Sequence, residues 1–217
     1  GSRGLGDVYK RQKYGYVLKK ECVKPKKNDN RNIIWIFWWQ GTENMPLTVK
    51  KCYQSVLKNS NSSTVILITK YNYTEYIKIP EYIIEKFNHG NITITHFSDI
   101  LRMYLLYNYG GAWLDATIFV SQAINLSLFD YPIYTAKCKN IVNYDNVSLS
   151  RWTGFFMFGK AGYPLFFYAL SFFYEYWKNE DQLIDYFLID YIIDIIYNKV
   201  SIVEDFKRLE YNNEDIQ

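Results

Sequence analysis

The segment Phe97–Val120, FSDILRMYLLYNYGGAWLDATIFV, constrains the fold more than any other stretch of this 217-residue chain. Ser98 has the side chain of a helix N-cap, and Asp99 behind it falls in a first turn, where the helix dipole favours a carboxylate. Leu101, Leu105 and Leu106 make the apolar stripe of a helix lying on a sheet. Gly110 and Gly111 then supply a left-handed stop, a conformation costly for any residue with a Cβ. Beyond them Ala112–Val120 reads as a strand, apolar except for Asp115. A carboxylate inside a buried strand costs several kcal/mol unless a cation, a metal or hydrogen bonds answer it. Arg102, three residues after Asp99, is the nearest cation; a bare i, i+3 pair on a helix surface contributes only about 0.2–0.5 kcal/mol.

The rest of the chain alternates strand and helix patterns. Asn32–Gln40 (NIIWIFWWQ) is continuously apolar and β-prone, as a central parallel strand should be. Trp38 and Trp39 would point to opposite faces of it, so at most one faces a ligand. Gly41 ends the run, and Pro46 opens a helix to about Leu57 with Val49, Tyr53, Val56 and Leu57 on one face. Further strands are predicted at Thr64–Thr69, Asn91–Thr95, Pro132–Ala136 and Gly154–Phe158. Helices are predicted after Pro80, over Pro164–Trp177 and over Gln182–Tyr197. This is an α/β pattern, a mostly parallel sheet with helices on both faces in one domain. The domain is expected at 32–217, with truncation at its C-terminal end part of that expectation. Residues 13–31 precede it as a basic segment whose Lys19–Lys27 stretch reads as a solvated tail, and residues 1–12 (GSRGLGDVYKRQ) read as an adaptor-derived leader. The polar loop Lys137–Arg151 is the expected mobile cover over a site.

Charge and cysteine usage narrow the class. The net charge is +3 with dispersed lysines, which argues against a nucleic-acid partner. Cys22, Cys52 and Cys138 have no metal-ligand spacing, and their odd number fits a reducing cytoplasm better than a disulfide framework. His89 and His96 are too scattered for a metal cluster and read as surface or edge residues. The longest uncharged aromatic run, Ala161–Tyr174, is too short for a membrane span and contains Pro164. Asp185, Asp190 and Asp194 lie in a strongly apolar helical stretch, with Asp190 and Asp194 on one face.

In open α/β sheets ligands bind beyond the carboxyl ends of the strands. Trp38–Gly41, Ser98–Asp99 and Asp115–Thr117 all fall there and are expected to converge. The run SDILRMYLLYNYGGAWLDAT, together with IWIFWWQGTENMP, SRWTGFFMF and LIDYFLIDY, resembles the bacterial capsular polysaccharide synthesis protein family, a branch of DXD-motif sugar-transferring enzymes with the GT-A fold. The resemblance implies a GT-A-like domain with a nucleotide-sugar donor site. In that site Trp39, beside Gln40, stacks on the base, an aromatic face suiting uracil. Asp99 bonds the sugar hydroxyls, and Arg102 binds the sugar or the diphosphate. Asp115 matches the first DXD acid, with catalytic and metal-binding roles. Thr117 stands where the second acid belongs, and a hydroxyl is a weak ligand for a hard cation; Mn²⁺ or Mg²⁺ bridged by diphosphate and water is still expected. Asp190 is the candidate acid that orients the acceptor. The implied activity is retaining transfer of a hexose from a UDP-linked donor to a glycan or lipid-linked acceptor, in the cytoplasm with peripheral association at the inner face of a membrane. Thr117 also motivates an alternative, a non-catalytic nucleotide-sugar or carbohydrate-binding module on the same fold.

Overall fold

Ile33–Phe37 is buried at every position, so this strand, β1, needs neighbours on both edges and cover on both faces. A computed structural model, which describes residues 13–25, 32–137, 148, 151–183, 188–199 and 201–209, supplies them. β1 pairs in parallel with β2 (Thr64–Ile68) on one side and with β3 (Gly111–Leu114) on the other. β5 (Phe156–Gly159) runs antiparallel to β3, and β4 (Ile133–Thr135) runs antiparallel to β5. The order is β2-β1-β3-β5-β4. Four strands share a direction and β5 opposes them, so the mostly parallel α/β expectation holds.

Strand alternation sends Ile33, Trp35, Phe37, Trp113 and Met157 to one face and Ile34, Ile36, Ala112, Leu114 and Phe158 to the other. The first face carries the larger core. Against it lie α3 (Glu81–Asn88), α4 (Ile94–Tyr109), α5 (Pro164–Asn179) and α6 (Leu188–Lys199), preceded and followed by the short helices α2 (Tyr73–Tyr76) and α7 (Val203–Lys207). The second face is covered by α1 (Leu47–Asn59) through Val56 and Tyr53, and by the turn Leu126–Asp130 through Phe129. α5 is aromatic because it sits between α4 and α6, with Phe166, Phe172, Phe173, Tyr176 and Trp177 sealed from water. Full burial of one such side chain contributes roughly 1.5–3 kcal/mol.

Several sequence expectations are corrected. Asn91–Thr95 is not a strand. Ile92 drops into the core, and Thr93 caps α4, its hydroxyl accepting from the His96 amide at 3.3 Å. α4 therefore starts earlier than the Ser98 cap predicted, and Asp99 sits in the second turn, away from the helix dipole's strongest end. His96 is buried, its Nδ1 2.6 Å from the Thr93 hydroxyl, and is no surface residue. β1 ends at Phe37, so Trp38 and Trp39 belong to the turn after it. On α1, Leu57 is exposed while Cys52 and Ser55 take the inner face. Ahead of β1, Tyr14 and Val17 enter the core, and the Tyr14 hydroxyl donates to Glu180 on the turn after α5 at 2.7 Å. Residues 1–12, most of the Lys137–Arg151 loop, Cys138 and Asp185 lie outside the described residues. Among those described, no helix is long and apolar enough to cross a membrane.

Candidate active site

The Gly110–Gly111 turn sets the site. Both glycines have positive φ, +69° and +102°. A Cβ on Gly111 would stand 2.3 Å from the Ile33 carbonyl oxygen, so only glycine lets the chain leave α4 and pair immediately with β1. This tight return brings the inner face of α4 against the end of β3. Arg102 and Asp99, each 5% exposed, look at that end. Arg102 donates through Nη1 to Asp99 Oδ1 at 3.2 Å and through Nη2 to Asp115 Oδ1 at 3.3 Å. Its guanidinium lies 5.0 Å over the Trp113 ring. Gly154 makes room for it, since a Cβ there would sit 2.9 Å from Nη1.

Asp115 is not the strand-interior acid its sequence suggests. β3 stops at Leu114, and the Asp115 side chain is 37% exposed. Its amide donates to the Phe155 carbonyl at 2.9 Å, and its carbonyl receives Ile118 N–H in a turn. The expectation that it requires a partner is met twice at one oxygen. Oδ1 takes the Trp113 indole N–H at 2.6 Å as well as Arg102. Oδ2 has no partner among the described residues.

Asp190, on α6, joins this group from far along the chain. The Trp152 indole, itself buried, donates to its Oδ1 at 3.0 Å. Solvent exposure does not account for Asp194 either, because Arg151 bonds it at 2.7 Å while stacking over Trp152 and Tyr197. Asp99 feels the charges of the other two acids. Burial pushes the Asp99 carboxyl up to about 7, Arg102 opposing and the charges of Asp115 and Asp190 adding to the rise. Burial raises Asp190 too, against the Trp152 hydrogen bond and the Arg102 charge. One guanidinium thus bonds two carboxylates and acts through its charge on the third.

A cleft of about 270 Å³ opens at the carboxyl edge beside this cluster, lined by the turn Trp38–Gln40, by Ile94, Thr95 and Ser98 of α4, and by Asp115–Thr117. Trp39, Gln40, Asp115 and Thr117 are therefore brought together, with Asp99 and Arg102 directly behind Asp115. Trp39 is held by edge-on contacts with Phe87 and Phe97. The Trp38 indole N–H and Arg102 Nε are buried without a partner among the described residues. Ser98 lines the cleft as the Ser98–Asp99 placement predicted, whereas sequence reasoning missed Trp113, Ile94 and Thr95. Trp113 was legible in principle, because residues i and i+2 of a strand share a face and an indole two before an acid can donate to it. The donor set does not fit a resident metal ion: among the described residues no three His, Cys, Asp or Glu side chains converge. It fits an ion that arrives with its own ligands, since Asp115 Oδ2 is open on the cleft wall and Thr117 is exposed beside it.

Three comparisons bear on this geometry. The model of the capsular polysaccharide synthesis protein family matches residues 8–216. The O-glycosyltransferase PaGT of Phomopsis amygdali is 27% identical over 117 residues, covering 50% of this chain and 29% of that protein; the chain matches less than a third of that relative's length. Among solved structures, the PaToxG glycosyltransferase superposes with a TM-score of 0.53 at 15% identity, over 94% of this chain and 80% of that one. That likeness is one of fold.

Proposed function

The chain belongs to the capsular polysaccharide synthesis protein family, and from that premise we propose that it is a glycosyltransferase. It moves a hexose from a nucleotide-diphosphate sugar, UDP-linked in this reading, to a glycan or lipid-linked acceptor of surface polysaccharide synthesis, with the anomeric configuration retained. Peripheral association at the cytoplasmic face of a membrane belongs to the same reading. The observation that carries it is Arg102 bridging Asp99 and Asp115 behind a nucleoside-sized cleft at the carboxyl edge of the sheet. The names of the proteins it resembles in sequence and in fold are in keeping with it.

Each residue then has a task. The Trp39 face and the Ile94, Thr95 and Ser98 wall hold the base and Gln40 borders it. Asp99 accepts from hydroxyls of the donor sugar and Asp115 from the ribose. Arg102, locked between the two acids, fixes their spacing and sets its positive charge beside the sugar or the diphosphate. Asp190, held by Trp152, orients the acceptor hydroxyl for attack. Preorganised charge of this kind is where most transfer enzymes find their rate. A divalent ion, Mn²⁺ or Mg²⁺, would be held by Asp115 together with the diphosphate and water, and would neutralise the leaving group.

The test is donor turnover. Purified protein with Mn²⁺ or Mg²⁺ is expected to hydrolyse or transfer from at least one member of a nucleotide-sugar panel, and Asp115→Asn to lose at least about 100-fold in kcat. Donor binding with no turnover in either form would favour the alternative that Thr117 motivates, a binding module.

A further inference from the structure

Behind the cleft, Asp99, Asp115 and Asp190 gather around one guanidinium that is bonded to the first two. Asp99, Asp115 and Asp190 each spend one oxygen on a protein donor: Arg102, Arg102 with Trp113, and Trp152 respectively. The second oxygen of each has no partner among the described residues. These are open acceptors: no oxygen of the three is sealed from solvent without a partner among the described residues, so each can be reached by water or by a ligand hydroxyl. The cations nearby are already engaged. Arg102 has both terminal nitrogens on carboxylates and its face on Trp113; Arg151 is bonded to Asp194 and stacked between Trp152 and Tyr197. Among the described residues, the cleft wall holds no lysine, arginine or histidine.

We propose that this donor site selects a neutral or amino hexose and rejects a sugar that carries its own carboxylate. The inference rests on the donor-site reading above and deepens it. A hexose ring brings several O–H donors, and an amino sugar brings N–H donors and positive charge; either meets open carboxylate oxygens with hydrogen bonds of the charge-assisted kind. A uronic acid replaces one hydroxyl by an anion that cannot donate. It would enter beside three acids where, among the described residues, the Arg102 guanidinium is already shared between two of them and its Nε is sealed from solvent, and like charges juxtaposed in a partly desolvated site are a strong discriminator. The diphosphate differs, because it brings a divalent counter-ion with it.

Binding rather than turnover is the readout, so that loss of catalysis in a variant does not hide the result. Calorimetric titration at pH 7.5 with Mn²⁺ compares UDP, UDP-glucose, UDP-glucosamine and UDP-glucuronate. UDP-glucose and UDP-glucosamine are expected to bind at least about tenfold more tightly than UDP-glucuronate. Asp190→Asn and Asp99→Asn are each expected to narrow that ratio, since each removes one repelling charge while keeping a side chain that can hydrogen-bond. Circular dichroism of both variants confirms that they are folded. Equal affinity for UDP-glucose and UDP-glucuronate, or a ratio unmoved by both variants, overturns the inference and leaves the donor site standing. Failure of UDP and all three sugars to bind overturns the donor-site reading itself.

Discussion

Asp99 offers a way to weigh the site's charge against the fold's stability. Its carboxyl is pushed up from 3.8 to about 7, burial being the largest cause, and the residue is only 5% exposed. Folded protein therefore binds this proton roughly a thousandfold more tightly than unfolded chain, which at about 1.4 kcal/mol per tenfold corresponds to about 4 kcal/mol. Between pH 4 and 7 the native state carries a proton that the unfolded state has released. Stability falls as the pH rises through that window, by up to about 1.4 kcal/mol per pH unit, and the loss is complete above 7. Asp99→Asn keeps the shape and the carbonyl acceptor for Arg102 but has no proton to lose. The variant is expected to match wild type near pH 4.5 and to exceed it by about 2–4 kcal/mol at pH 8, while losing donor affinity. Urea unfolding at four pH values, followed by tryptophan fluorescence, measures both curves. A variant less stable than wild type at pH 8, or a difference that does not grow with pH, would refute the reasoning; Asp99 would then be a structural ion-pair partner whose attraction to Arg102 outweighs its burial.

Two further outcomes follow from contacts around the same turn. Gly111→Ala places a methyl 2.3 Å from the Ile33 carbonyl at a φ of +102°, and should cost at least about 3 kcal/mol of stability by urea unfolding. Trp113→Phe keeps a ring under Arg102 but removes the donor to Asp115, and is expected to lower donor kcat/KM roughly 10- to 100-fold, as for a hydrogen bond to a charged group; an unchanged kcat/KM would mean that Arg102 alone orients Asp115.

How much of this was legible varies along the chain. The α4–glycine–β3 unit was, because a left-handed stop between a helical stripe and an apolar run admits few other folds. The meeting of Trp39, Gln40, Asp115 and Thr117 followed from sheet topology alone. The Asn91–Thr95 error has a physical source: alternating Ile and Thr is the pattern of a strand, and nothing local says that Ile92 is wanted by the core while Thr93 is wanted as a cap. Asp115 was misjudged because the apolar residues after it, Ile118 and Val120, belong to a turn and a loop packed on the second face of the sheet rather than to a longer strand. The partnership of Trp152 with Asp190, and of Arg151 with Asp194, joins segments about forty residues apart; helix periodicity places two acids on one face without saying what that face meets.

The glycine turn also bears on the order in which the molecule becomes competent. Asp99, Arg102, Trp113 and Asp115 lie on two elements with almost no chain between them, so their mutual placement closes a short loop and demands little of the rest of the polypeptide. Asp190 arrives only when α6 docks, across α5 and the segment that carries Trp152. In the proposed glycosyltransferase reading, a chain interrupted or slowed before that docking would hold a formed donor-side cluster with no acceptor-orienting acid opposite it. On that reading, capture of the donor and its transfer mature as separate events during folding, the first local and early, the second waiting on a distant helix.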